Sequence, residues 1–107
     1  MAWILRTLSV PDGFFFFIDP QQYTGKFALS LSDFCTKLNA VPLKSIEFHF
    51  QQGDFERWIR VTLGDEELAE RISRIDRSIH GEESRTLIQR IVEKRLEELS
   101  EEDCRGS

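Results

Sequence analysis

The residues with the greatest chemical potential lie close together, in Ser45-Ile46-Glu47-Phe48-His49 and Gly53-Asp54-Phe55-Glu56-Arg57-Trp58-Ile59. Histidine changes charge near neutral pH and so suits proton transfer, and the nearby carboxylate of Asp54 could orient its ring. Arg57 or Arg60 would then anchor an anionic group, with Trp58 as one wall of a pocket. His49, Asp54, Arg57 and Trp58 are therefore the candidate ligand-binding or enzymatic site. A purely structural reading accounts for the same residues. Asp54 would cap a helix, worth about 1 kcal/mol, and Gly53 would permit a sharp joint. Phe55 and Trp58 would fill core, and His49 would hold the joint by bonding a backbone carbonyl or Asp54. No serine, cysteine or second histidine stands at a spacing that marks a nucleophile triad, so no catalytic residue is assigned.

Other chemistries have no visible apparatus. Glycine-rich phosphate loops, zinc-protease helices and calcium loops are absent from the sequence. Cys35 and Cys104 belong to no C-x-x-C pair and no His-rich spacing, so neither a metal nor any other cofactor is expected. Cys35 falls on an apolar stripe and reads as a small buried hydrophobe. The 107 residues carry 14 basic and 19 acidic side chains, a net charge of -5, which repels polyanions and argues against nucleic-acid binding. Arg71, Arg74 and Arg77 sit among Asp65, Glu66, Glu67, Glu70 and Asp76. Arg85, Arg90, Lys94 and Arg95 sit among Glu82, Glu83, Glu93, Glu97 and Glu98. Both rows read as solvated, salt-bridged faces, and His80 beside Gly81 as an exposed loop residue. No segment is apolar enough for a membrane span or a secretion signal, and cysteines are few, so a cytoplasmic location is expected.

The elements that must position these residues follow from pattern. Residues 2–8 and 14–18 are rich in aromatic and branched residues, and Val10-Pro11-Asp12-Gly13 between them reads as the turn of a hairpin. Phe14 to Phe17 present apolar side chains on both faces and need cover on each. Asp19-Pro20 ends that strand, and the stretch through Gly25 reads as polar loop. Ser30 with Asp33 forms an acidic capping box for a first helix, in which Leu31, Phe34, Cys35 and Leu38 share a face and which Pro42 ends. Residues 45–51 fit strand and helix periods equally well. Asp54 opens a helix with Phe55, Trp58, Ile59 and Leu63 inward, closed by Gly64. Asp65 caps the next, with Leu68, Ala69, Ile72 and Ile75 inward. A last helix over about 82–99 carries a broad face of Leu87, Ile88, Ile91, Val92, Leu96 and Leu99, wide enough to touch more than one neighbour. Its acidic C-terminal end opposes the helix dipole and predicts fraying near Ser100.

The pattern Ser-Ile-x-Phe-His-x-x-x-Gly-Asp-Phe-x-x-Trp-Ile over residues 45–59 resembles a family of small uncharacterised archaeal and bacterial domains of unknown function. The likeness continues in Leu63-Gly64-Asp65-x-x-Leu68-Ala69-x-x-Ile72 and upstream in Ala28-Leu29-Ser30-Leu31-x-x-Phe34, over roughly residues 14–77. It implies that 45–51 is helical and implies no activity.

The expected architecture is α+β: a small antiparallel sheet from an N-terminal hairpin, packed against about four or five helices. It forms one compact domain over residues 1–107, with its last few residues disordered. The expected function is a non-catalytic protein–protein interaction module that binds a protein partner or itself as a homodimer. The motive is apolar surplus, and Phe15, Phe17, Ile88, Val92, Leu96 and Leu99 are its expected interaction surface.

Overall fold

Asp19 and Pro20, not Pro11 and Gly13, turn the chain at the start of the fold. In the computed structural model, which describes residues 3–105, strand β1 (Phe14–Asp19) pairs antiparallel with β2 (Gln22–Ala28), Phe15 opposite Phe27 and Phe17 opposite Tyr23. The Asp19 carboxylate accepts the Gln21 N–H at 2.8 Å, a local turn bond that needs no glycine. The ladder is irregular on both sides of Phe17. There the Thr24 hydroxyl donates to the Phe16 carbonyl at 2.7 Å and accepts the Lys26 N–H at 3.1 Å, giving displaced backbone groups a partner.

Two expectations for this region are corrected. The segment read as a first strand holds a short 3₁₀ turn, Trp3–Leu5, and the segment read as its hairpin turn holds another, Val10–Asp12. Pro11 has no N–H to give a ladder and suits the first turn of the second of these. Residues 19–25, read as loop, supply the hairpin turn and the start of β2; β2 looks polar because most of its side chains face solvent. Gly13 is required by crowding rather than by positive φ. A Cβ there would lie 2.7 Å from a Leu29 methyl and 2.9 Å from the Ala28 carbonyl oxygen.

Five helices follow. Helix α1 (Leu31–Ala40) starts on the expected box: Ser30 accepts the Asp33 N–H at 3.1 Å and Asp33 accepts the Leu29 N–H at 3.3 Å. Residues 45–51 lie within a helix, α2 (Leu43–Gln52), as the family resemblance implies. Pro42 starts it, and Ser45, a plausible cap by type, is buried inside its first turn. Gly53, at φ +73°, ends α2 in the left-handed region and starts α3 (Asp54–Trp58), which runs on as a π-helical turn (Ile59–Leu63) closed by Gly64 at φ +82°. Asp54 is therefore not a cap. It is the first helical residue, and its carboxylate is used sideways. Helix α4 (Glu66–Ser73) is capped by Asp65 as expected, which accepts the Leu68 N–H at 3.1 Å.

Helix α5 (Glu82–Arg105) continues past Ser100 instead of fraying there. Arg71 and Arg95 meet the Glu98 carboxylate at 2.9 and 3.2 Å, offsetting acidic charge near its C-terminal end, and Arg71 holds that carboxyl below its usual range. Side chains beyond Glu101, Cys104 among them, and Gly106 and Ser107, on which the disordered tail was expected, lie outside the described residues.

The result is the α+β architecture read from sequence, a two-stranded hairpin covered by five helices. Its core gathers Phe14 and Phe16 of β1, Leu31, Phe34 and Leu38 of α1, Ile46 and Phe50 of α2, Phe55 of α3, and Leu68 and Ile72 of α4. The broad face of α5 lies against α1, α2 and α4, which accounts for its width. The expected interaction surface is corrected accordingly. Ile88, Val92 and Leu99 are buried in this chain's own core, whereas Leu96, like Phe15 and Phe17, is only partly buried. Arg77 lies beyond α4 altogether. It stacks over the Phe50 ring, pairs with Glu56 and donates to the Phe50 carbonyl at 2.6 Å, tying the α4–α5 connection to α2. No helix among the described residues is long and apolar enough to cross a membrane.

Candidate functional site

The four candidate residues converge because α2 and α3 meet at Gly53. His49 is the third residue before the end of α2 and Asp54 the first of α3, so the left-handed joint folds the Asp54 carboxylate back on to the imidazole. His49 Nδ1 lies 2.8 Å from Asp54 Oδ2. On the other side of the ring, the Phe17 N–H of β1 donates to Nε2 at 2.8 Å. An amide donor requires a bare Nε2, so the neutral ring carries its proton on Nδ1 and donates it to Asp54. The joint was anticipated with Asp54 or a backbone carbonyl as partner. The structure uses Asp54 and, in place of a carbonyl, an amide that donates.

This arrangement occupies both nitrogens. His49 is 5% exposed, and Phe14, Phe16, Phe48 and Phe55 surround its ring at centroid distances of 4.8 to 6.2 Å. Burial pushes its pKa below the usual histidine value, and the bond and charge of Asp54 offset that only in part. Neither ring nitrogen keeps a free lone pair, and the ring clamps β1 to α3. Asp54 is itself shared, since its Oδ1 accepts from Arg57 at 3.1 Å.

The clamp forms the floor of an open groove of about 420 Å³. Phe14, Phe15 and Phe17 of β1 line it on one side, and Asp54, Arg57, Trp58, Val61 and Thr62 on the other. All four sequence candidates thus border one cavity. Trp58 is a buried wall whose indole N–H donates to the Asp12 carbonyl at 2.9 Å, which leaves its ring, not its polar edge, for the groove. Arg57 stands at the rim with its side chain 66% exposed. Arg60, the alternative anion anchor, instead pairs with Glu66 at 2.9 Å and Glu70 at 3.8 Å.

Three lining residues escaped the sequence reading. Phe14 was seen only as strand. The π-helical turn changes the angular step between residues and brings Thr62, with Val61, to the groove. Arg6 steadies this turn by donating to the Thr62 carbonyl at 2.5 Å and the Leu63 carbonyl at 3.2 Å. Val61 did leave a signal: it is apolar, yet it falls off the Phe55, Trp58, Ile59 and Leu63 face, and it is 74% exposed. Outside the groove, the hairpin's outer face continues the apolar surface. Phe15 stacks on Phe27 at 5.6 Å and meets Tyr23 at 6.0 Å, while Phe17 meets Tyr23 at 5.2 Å.

Among the described residues no cluster of His, Cys, Asp or Glu could hold a metal ion. Cys35 is half-buried, and burial, reinforced by Glu93, raises its pKa, which disfavours the reactive thiolate. Comparison with protein families matches residues 12–105 to a family of unknown function, DUF5752, so the match takes in α5, which the resemblance read from sequence left out. No curated protein and no solved structure matches the chain significantly.

Proposed function

Because the chain belongs to DUF5752, a family of unknown function, its own residues must supply the reading, and we propose that it is a non-catalytic interaction domain. It self-associates through the groove and the outer face of the hairpin. The observation that carries this is one contiguous apolar patch that the fold leaves partly exposed. Phe15, Phe17, Tyr23 and Phe27 form one aromatic sheet face, and the groove extends it to Val61. A contiguous apolar patch with a concave centre marks a contact site better than scattered single residues do. A second copy brings both parts of such a contact, an exposed knob in Val61 and an aromatic hollow, and an isologous pair satisfies both at once. Of the surface expected from sequence, this reading keeps Phe15 and Phe17 of the hairpin and drops the α5 face, whose Ile88, Val92 and Leu99 are buried inside the chain.

Sedimentation velocity over a dilution series tests the reading. The wild-type chain should show concentration-dependent association, strengthened by salt because two copies at -5 repel. Val61→Glu should abolish it with a stability change within about 0.5 kcal/mol, as expected at an exposed site. A strict monomer at every concentration rejects it.

A second reading has one specific observation in its favour. The groove volume is in the range of small-molecule pockets, with Asp54, Arg57 and Thr62 as polar groups among aromatic walls. Under that reading a flat ligand bearing an acceptor for Arg57 raises the melting temperature, and Arg57→Ala removes the rise.

A further inference from the structure

Resting on the interaction reading above, we infer that His49 is a proton-operated latch on the groove: adding a proton to Nε2 expels the Phe17 amide and releases that part of β1 from the wall it forms. The geometry leaves little alternative. At present the Phe17 N–H points at the bare Nε2 from 2.8 Å. A proton there places two donors face to face, and the ring cannot turn away cheaply. The opposite ring nitrogen holds Asp54 at 2.8 Å, and the Phe14, Phe16, Phe48 and Phe55 rings fill the space around the imidazole. An imidazolium would keep and strengthen its bond to Asp54 as a charge-assisted contact. The weaker, neutral bond to Phe17 is therefore the one that gives.

The strand is able to give at this point. Phe17 sits between the two irregularities in the β1–β2 register, so its segment is held less firmly by β2 than a regular ladder would hold it. Phe17 is itself a groove wall, as are its neighbours Phe14 and Phe15, so a displaced Phe17 amide changes the binding surface directly.

The charges around the ring favour a single titrating centre. From α3 the facing groups are Asp54, in contact, and Arg57, held on the far oxygen of Asp54. β1 contributes only phenylalanines to the ring. On α2, Glu47 turns away to accept the Gly81 N–H at 2.8 Å. From α5, which also packs on α2, Arg85 is directed to the Leu38 and Val41 carbonyls and to Glu82. Arg77 is engaged by Glu56 and Phe50.

The test follows the Phe17 amide and the His49 ring together by NMR from pH 7.5 to 5. At pH 7.5 the ring should show the tautomer with the proton on Nδ1. As His49 titrates, exchange protection at Phe17 should fall by at least about tenfold, while a core amide such as Phe34, bonded to the Ser30 carbonyl, keeps its protection. His49→Gln, whose amide oxygen can accept from Phe17 without titrating, should keep Phe17 protection level across the same range. In sedimentation, the wild-type dissociation constant should rise at least about tenfold over the titration, and that of His49→Gln by less than twofold. A Phe17 amide that stays protected while His49 gains its proton overturns the latch, as does loss of protection at Phe17 and Phe34 in step. Association that persists unchanged while Phe17 opens overturns its coupling to binding. A chain monomeric at every pH rejects the self-association reading instead, and the Phe17 and Phe34 amides then decide the latch alone.

Discussion

The last helix carries a broad apolar face and the first strand an unbroken run of four phenylalanines, and the fold treats the two differently. Helix α5 meets α1, α2 and α4, three neighbours that together enclose Ile88, Val92 and Leu99. Strand β1 has helices on one face only. Phe14 and Phe16 point into the core, whereas Phe15 and Phe17 point outward to Tyr23 and Phe27, which are themselves exposed. The difference teaches that the width of an apolar stripe does not measure surplus. A wide helical stripe can be absorbed by several neighbours around a cylinder. A two-sided strand in a two-stranded sheet has one face that no element of its own chain covers, unless something folds over it.

If this contrast is sound, damage to the two regions should differ in kind. The largest stability loss is expected for Ile88→Ala, which deletes fully buried core atoms of α5: about 2–5 kcal/mol in urea unfolding, without any selective effect on association of the folded fraction. A loss below 1 kcal/mol would mean that α5 is not absorbed as described.

Next comes the clamp. His49→Ala leaves the Phe17 amide and the Asp54 carboxylate without their partner, and should cost about 2–4 kcal/mol at pH 7.5. The pH dependence has a definite sign. The folded-state pKa lies below the unfolded value near 6.5, so the unfolded chain binds the proton more readily. The clamp's contribution is therefore present in full above about pH 6.5 and is lost as pH falls through the folded-state value, and the cost of His49→Ala should shrink over the same interval. A cost that grows on acidification would reverse the assignment of the neutral ring.

The smallest stability effect belongs to the outer face. Phe15→Ser should cost no more than about 1.5 kcal/mol, since only part of the ring is covered, yet it should weaken association as strongly as Val61→Glu does. Equal stability losses for Phe15→Ser and Ile88→Ala would erase the contrast between the regions.

Much of this arrangement is determined by the sequence alone, because its causes are local. The Ser30–Asp33 box, the Asp65 cap, the stops at Pro42 and Gly64, and the inward stripes of α1 and α4 each depend on residues within a turn or two of one another. So does the grouping of His49, Asp54, Arg57 and Trp58, which the Gly53 joint brings together from a short stretch of chain. Tertiary structure decided what depends on partners distant in sequence. The hairpin turn at Asp19-Pro20 rather than at Pro11 rests on whether β1 pairs forward with residues 22–28 or backward with residues 3–8, and both flanks carry residues that could pair. The helical state of 45–51 rests on burial of Ile46, His49 and Phe50 against β1 and α3, since the local pattern fits both periods. The role of His49 depended on an amide 32 residues away: a ring nitrogen can receive a strand N–H or a substrate proton, and only the position of β1 selects the first.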